Sequence, residues 1–133
     1  MNNQKPLSRE QLSAVSALPG PERFAHFVKK IADSELVWGL RDKDGWVSVC
    51  DDDGNNGIPF WPHSEYANAC ARDEWSGYES SAVEVHEFVD TWLPNLLQQG
   101  VSVAVFPTTS MKGVFVNPLQ LRTAIKDELK LYE

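Results

Sequence analysis

Apolar residues recur along this chain in two rhythms, one near about 3.6 residues and one near two, and the rhythm changes where glycine, proline or Asp/Asn clusters fall. Ser8 with Gln11 three residues on, and Leu7 placed to pack on Leu12, mark a capped helix start, which predicts a first helix from Arg9 to Ser16. Gly20 and Pro21 offer a cap and a first-turn proline. Phe24, Phe27, Val28 and Ile31 then fall at i, i+3, i+4 and i+7, which predicts a second helix. Leu36 to Leu40 and Trp46 to Cys50 are short and rich in β-favouring residues, and the Asp42 to Gly45 turn between them makes a hairpin. Asp51 to Gly57 is turn chemistry. Ile58 to Trp61 reads as a brief strand whose Pro59 lacks a ladder donor and so favours an edge or a bulge.

Order resumes at Ser64, a natural cap for a helix from Glu65 to about Glu74 that sets Tyr66, Ala69 and Cys70 on one side and ends by Gly77. A short extended piece, Ala82 to Val85, follows. Val85, Phe88, Val89, Trp92 and Leu96 hold the helical period, but Pro94 removes the amide that would bond to Asp90, so this helix kinks or restarts near Leu93. Val101 to Phe106 and Val114 to Val116 form a second hairpin around the Pro107 to Gly113 turn. Asn117 and Pro118 open a last helix whose inner face carries Leu121, Ala124, Ile125, Leu129 and Tyr132. The expected fold is therefore α+β: a four- or five-stranded, mostly antiparallel sheet built from two hairpins, with about five helices mainly on one face. Strand order stays open, because the link from Trp61 to Val101 is long enough to place the second hairpin on either side of the first.

A chain of 133 residues fits one domain, 1–133, with 1–7 as a flexible N-terminus, and 42% apolar residues suffice for a core without staples. Twelve Lys+Arg against nineteen Asp+Glu leave a net charge of −7, which repels phosphate backbones and anionic membranes and argues against nucleic acid or a membrane as partner. The opening Met1-Asn2-Asn3-Gln4-Lys5-Pro6 is not a secretory start, and the purest apolar run, Val101 to Phe106, is far too short to cross a bilayer. These features point to the cytoplasm, where Cys50 and Cys70 are expected as free, mostly buried thiols.

Candidate chemistry is thin. Asp51-Asp52-Asp53-Gly54-Asn55-Asn56-Gly57 has the oxygens of a calcium loop, yet no register supplies both the glycine at the sixth position and the glutamate at the twelfth, so a solvated turn is the better reading. Cys50, His63, Cys70 and His86 lack the two-to-four spacing that lets one turn present two ligands to zinc. Neither a nucleophile elbow nor a glycine-rich phosphate loop occurs, and His26, His63 and His86 each suit a surface or capping role. Pairs such as Asp73-Glu74, or Glu84 with Glu87, read as exposed helical neighbours. The expectation is no catalytic residues, no cofactor and no metal. Trp38, Trp46 and Trp92 fall on strands or a core stripe, whereas Phe60-Trp61-Pro62 and Trp75-Ser76-Gly77-Tyr78 sit at element ends. There a large ring can anchor a partner, although indole is mostly buried. The candidate binding surface is thus Trp61, Tyr66, Trp75 and Tyr78.

The blocks Phe60-Trp61-Pro62-His63-Ser64-Glu65-Tyr66-Ala67, Trp75-Ser76-Gly77-Tyr78, Glu87-Phe88-Val89-Asp90-Thr91-Trp92-Leu93-Pro94, Gly100 to Pro107 and Gly113 to Pro118, in this order, resemble a small bacterial family known as domain of unknown function 2750, over roughly Pro21 to Tyr132. A weaker likeness runs to the N-terminal domains of SseB-type proteins, which also end in strand, Asn-Pro, helix. The resemblance implies a bacterial, cytoplasmic, stand-alone α+β domain and transfers no role to any residue. From charge and motif content the expected function is a non-catalytic interaction or regulatory module, of the immunity type among others, whose acidic surface meets a basic protein partner. The alternative is a small-molecule module with a pocket near Trp61, Tyr66 and Trp75.

Overall fold

The computed structural model describes residues 6–132. Helix α1 (Arg9–Ser16) starts with the expected capping box: Ser8 Oγ accepts from Gln11 N, and the Gln11 side chain accepts from Ser8 N, each at 3.1 Å. Helix α2 (Gly20–Ser34) buries Phe27, Val28, Ile31 and Ala32 and ends at Glu35, which takes the left-handed conformation at φ 63°. Strand β1 (Leu36–Asp42) pairs antiparallel with β2 (Gly45–Trp46) and, along its full inner length, with β5 (Glu79–Glu84). The second sheet has the order β3 (Val49–Cys50), β4 (Asn56–Phe60), β6 (Ser102–Val105), β7 (Val114–Val116), with β4 and β6 parallel and the other pairs antiparallel.

The fold is α+β and mostly antiparallel, but the strands form a three-stranded and a four-stranded sheet in place of one. Pro59 supplies the physical reason. Trp38 and Trp61 exchange both backbone hydrogen bonds (2.9 and 2.7 Å) in an isolated antiparallel bridge between the sheets. By strand alternation Pro59 faces the same side as Trp61, and without an N–H it cannot extend that ladder. Pro59 also lies beyond the end of the two-residue β3, so its missing donor leaves no strand partner unsatisfied. It therefore sits in an internal strand, not at the expected edge. The first hairpin is correspondingly shorter: after Trp46 the chain bends, and Val49–Cys50 crosses over to pair with Asn56 and Gly57.

Helix α3 (Ser64–Cys70) is capped by His63, whose Nδ1 accepts from Glu65 N at 3.1 Å, and it stops at Cys70, well short of Glu74; a 3₁₀ turn, Asp73–Trp75, follows. Next come α4 (Val85–Glu87), a π-helical turn (Phe88–Trp92) and α5 (Leu93–Gln99), a continuous run that changes pitch ahead of Pro94. The wider turn lets Leu93 N reach Phe88 O, and Arg122 Nε donates to Val89 O at 3.2 Å. Helix α6 (Pro118–Leu129), capped by Asn117, packs on α2 and α5. Taking 85–99 as one kinked segment, the α-helical segments among the described residues number five, as expected.

The core lies where the two sheets meet. Phe60, wholly buried, packs against Phe88 and Trp92 in edge-on geometry (4.9 and 5.7 Å between centroids), and Trp46 meets Trp92 at 5.0 Å. Gly39 is dictated by that packing: a Cβ there would stand 2.8 Å from the Trp46 ring. Leu7, at the end assigned to a flexible terminus, is half-buried and donates its N–H to Glu65 Oε2 at 2.6 Å; positions 1–5 lie outside the described residues. No helix among the described residues is long and apolar enough to cross a membrane.

Candidate functional site

Of the four candidate surface residues, two are interior. Trp61 is wholly buried, with Nε1 donating to Pro107 O at 2.7 Å, and Tyr66 is 3% exposed, its ring 4.7 Å from that of Phe106. The reason is that β4 runs into the seam between the sheets and α3 folds straight back over it, so this element end is not a surface. Trp75 and Tyr78 are half-buried. Cys50 also departs from expectation: the two-residue β3 is an edge strand and leaves its thiol exposed.

Trp75 stands in the wall of a concavity of about 560 Å³. One side is the 3₁₀ turn with Arg72, Asp73 and Glu74; the opposite side is the β6–β7 loop from Pro107 to Gly113; Cys50, Cys70 and Phe115 close it. Asp73 (φ 53°) in one wall and Phe106 (φ 54°), the residue that leads into the other, are non-glycine residues in the left-handed region. The loop is fixed from within. Thr108 N donates to Met111 O (2.9 Å), and Thr108 Oγ1 accepts from the amides of Ser110 and Met111. Gly113 runs so close to β6 that a Cβ would meet the Ala104 carbonyl carbon at 3.0 Å.

A buried arginine braces the same loop from behind. Arg23, 3% exposed, donates through Nε to Leu18 O (3.0 Å), and its two terminal nitrogens reach Phe106 O and Lys112 O. Each of these partners is a main-chain carbonyl, and burial pulls the guanidinium below its ordinary pKa. Sequence reading missed Arg23, although its position four residues before Phe27 places it on the apolar stripe of α2. It also missed Arg72, which carries no local signal.

The titratable groups offer little nucleophilic power. Burial pushes the Cys70 thiol up to about 11, outweighing the opposing effects of Trp61 and the Arg72 charge, and its Sγ lies 3.5 Å from Pro107 O. Asp51 of the Asp/Asn turn spends its carboxylate on the turn itself, accepting from Asn55 Nδ2 (2.9 Å), Asn55 N (2.8 Å) and Asp53 N (3.0 Å), which holds its pKa low. Far from the cavity, Glu35, Glu84 and His86 bring ligand-type atoms within 4.8 Å of one another, all exposed. Glu84 there serves as the cap of α4 and as the partner of His86 Nδ1 at 2.7 Å.

A two-sheet α+β domain with a strained, loop-walled concavity defines a class but not an activity. The family model for the protein of unknown function DUF2750 matches residues 24–125, and the chain belongs to that family. Comparison with curated proteins and with solved structures returns no match.

Proposed function

We propose that this domain is a non-catalytic binding module for a small organic molecule seated in the concavity beside Trp75. The observation that carries this reading is the cavity: its volume of about 560 Å³ falls within the range of small-ligand sites, and Trp75, Met111 and Phe115 contribute apolar wall while charged and hydroxyl groups stand at its margins. The strained backbone at Asp73 and Phe106 supports it, because such conformations concentrate where a chain segment is held for a ligand. Titrating the labelled protein with a fragment library should shift the Trp75 indole N–H and the amides of Met111 and Gly113. Thr109→Trp, which fills the mouth from an exposed position, should remove those shifts at unchanged melting temperature. A library that leaves the three signals in place refutes the reading.

A second reading is a basic protein partner docked on the acidic face. Asp73 and Glu74 are exposed in the wall of the same concavity, next to Trp75 in the chain, and the exposed Asp52 pairs with Lys112 on the opposite wall, which favours it. Under this reading a bacterial, cytoplasmic setting supplies the partner, and a specific complex captured at low salt should be lost on reversing Asp73 and Glu74 to lysine. Capture that survives the reversal sinks it.

A further inference from the structure

Next to the concavity lies a second, smaller cavity of about 280 Å³ between α1, α3 and the start of the β6–β7 loop. The two share Cys70, Arg72 and Pro107 to Thr109, so they are neighbouring compartments along one wall. Their electrostatics differ. Arg72, Asp73, Glu74 and Lys112 line the larger one, whereas Arg72 is the only charged residue lining the smaller among the described residues. Lys112 is already committed, its Nζ 2.8 Å from Asp52 Oδ1; Arg72 has no ion pair among the described residues.

Tyr66 supplies the second, independent observation. It is 97% buried and lines the smaller cavity, yet its hydroxyl has no hydrogen-bond partner among the described residues. A buried tyrosine hydroxyl ordinarily finds one. No sealed side-chain polar atom lacks a partner among the described residues, so this hydroxyl is not shut in, and the residue that carries it lines the cavity. Ser13 and Ser16 of α1 add further hydroxyls to the same lining.

We propose that the smaller cavity receives the anionic end of the ligand, a carboxylate or phosphate whose oxygens accept from the Tyr66 hydroxyl and pair with the Arg72 guanidinium, while the ligand's apolar body lies against Trp75. The proposal rests on the ligand-binding reading above and adds the sign of the charge and the two residues that read it. Burial pushes Tyr66 up to about 12, with Glu65 adding to the rise, so the phenol remains a donor throughout the physiological range. The Arg72 charge also acts on the Cys70 thiol, which lines both compartments.

The test compares benzoate, phenyl phosphate and their neutral counterpart benzamide on the full chain, followed by amide shifts at Ser13, Ser16 and Thr109 and by calorimetry. Benzoate or phenyl phosphate should bind more tightly than benzamide, and whichever binds more tightly identifies the carboxylate or the phosphate. Arg72→Gln, at an exposed position that folding tolerates, should weaken the anion roughly ten- to a hundredfold while leaving benzamide unchanged. Tyr66→Phe, which keeps the ring packing, should weaken it several-fold. If benzamide binds as well as the anions, or Arg72→Gln leaves benzoate and phenyl phosphate unaffected, the charge assignment is overturned and the cavity reading stands. If none of the three probes perturbs either compartment, both fall.

Discussion

The seam between the two sheets and the cavity wall behind Phe106 are neighbours, joined by the Phe106 N–H to Phe60 O hydrogen bond, and solve opposite problems. At the seam, Phe60, Phe88, Trp46 and Trp92 interlock ring on ring, and the Trp61 N–H finds a carbonyl, so apolar area and polar atoms are both provided for. At the cavity wall, Phe106 is held in a left-handed conformation, Arg23 is buried among carbonyls with no carboxylate partner among the described residues, and the Tyr66 hydroxyl has no hydrogen-bond partner among them. The first region is what folding alone would build. The second carries features that cost stability, which is where a binding role is expected to show.

The largest effect should come from breaking the seam. Phe60→Ala removes a wholly buried ring touching three other aromatic side chains and should cost about 3–5 kcal/mol in urea unfolding, with little change in the loop's amide protection relative to the rest of the fold. Arg23→Met tests the other side. It leaves the Phe106 and Lys112 carbonyls unpaired at a cost of about 1–3 kcal/mol, and it should speed amide exchange at Thr108 and Met111 selectively. Equal acceleration across the molecule would show that Arg23 is an ordinary core contact and not a brace for the loop.

The contrast sharpens with two conservative changes on neighbouring elements. Trp61→Phe deletes a buried indole N–H bonded at 2.7 Å and leaves Pro107 O with only the weak donor Cys70 Sγ at 3.5 Å, for a loss of about 1–3 kcal/mol. Tyr66→Phe deletes a hydroxyl with no partner among the described residues and should change stability by less than about 0.5 kcal/mol. Thermal or urea unfolding of the pair checks this, and equal losses would mean that the Tyr66 hydroxyl is engaged in the free protein.

What could be read in advance follows the range of the interactions. Caps and turns are local, so Ser8 with Gln11, Asn117 with Pro118, the second hairpin and the disturbance before Pro94 were legible in a few neighbouring residues. Pro59 was legible as a ladder-breaker but not as the break between two sheets, because that depends on Trp38 standing opposite Trp61. Nor can spacing show that β4 lies parallel to β6, which depends on long-range closure. The burial of two of the candidate rings was hidden for the same reason. Trp61 and Tyr66 looked terminal along the chain, but the chain reverses there and folds α3 over the seam. Of the four, Trp75 and Tyr66 line the two cavities described above, and Arg72, which joins the two compartments, gave no periodic or motif signal.

The smallest effect belongs to an exposed pair remote from both regions. The hydrogen bond that the His86 ring donates to the Glu84 carboxylate raises the His86 pKa, with the charges of Glu84, Glu35 and Asp90 adding to it against an opposing desolvation. For Glu84, desolvation works in the opposite direction, but hydrogen bonds from the His86 amide and ring and from Glu87 N hold its pKa below the usual value. A histidine raised in the folded state contributes stability that is complete below its unfolded value of 6.5 and is lost as pH rises through the folded value. A carboxylate lowered in the folded state contributes above its unfolded value of 4.5 and loses that contribution as pH falls through the folded value. The pair therefore stabilises most between those two values. Both side chains are more than half exposed, so the gain should not exceed about 0.5 kcal/mol. Melting curves of the chain and of His86→Gln should differ near pH 5.5 and converge by pH 9, and the difference should shrink in high salt. A gap that stays constant across that range would assign the effect to capping geometry, not charge. The seam and the cavity wall would then carry all the energetic contrast in the molecule.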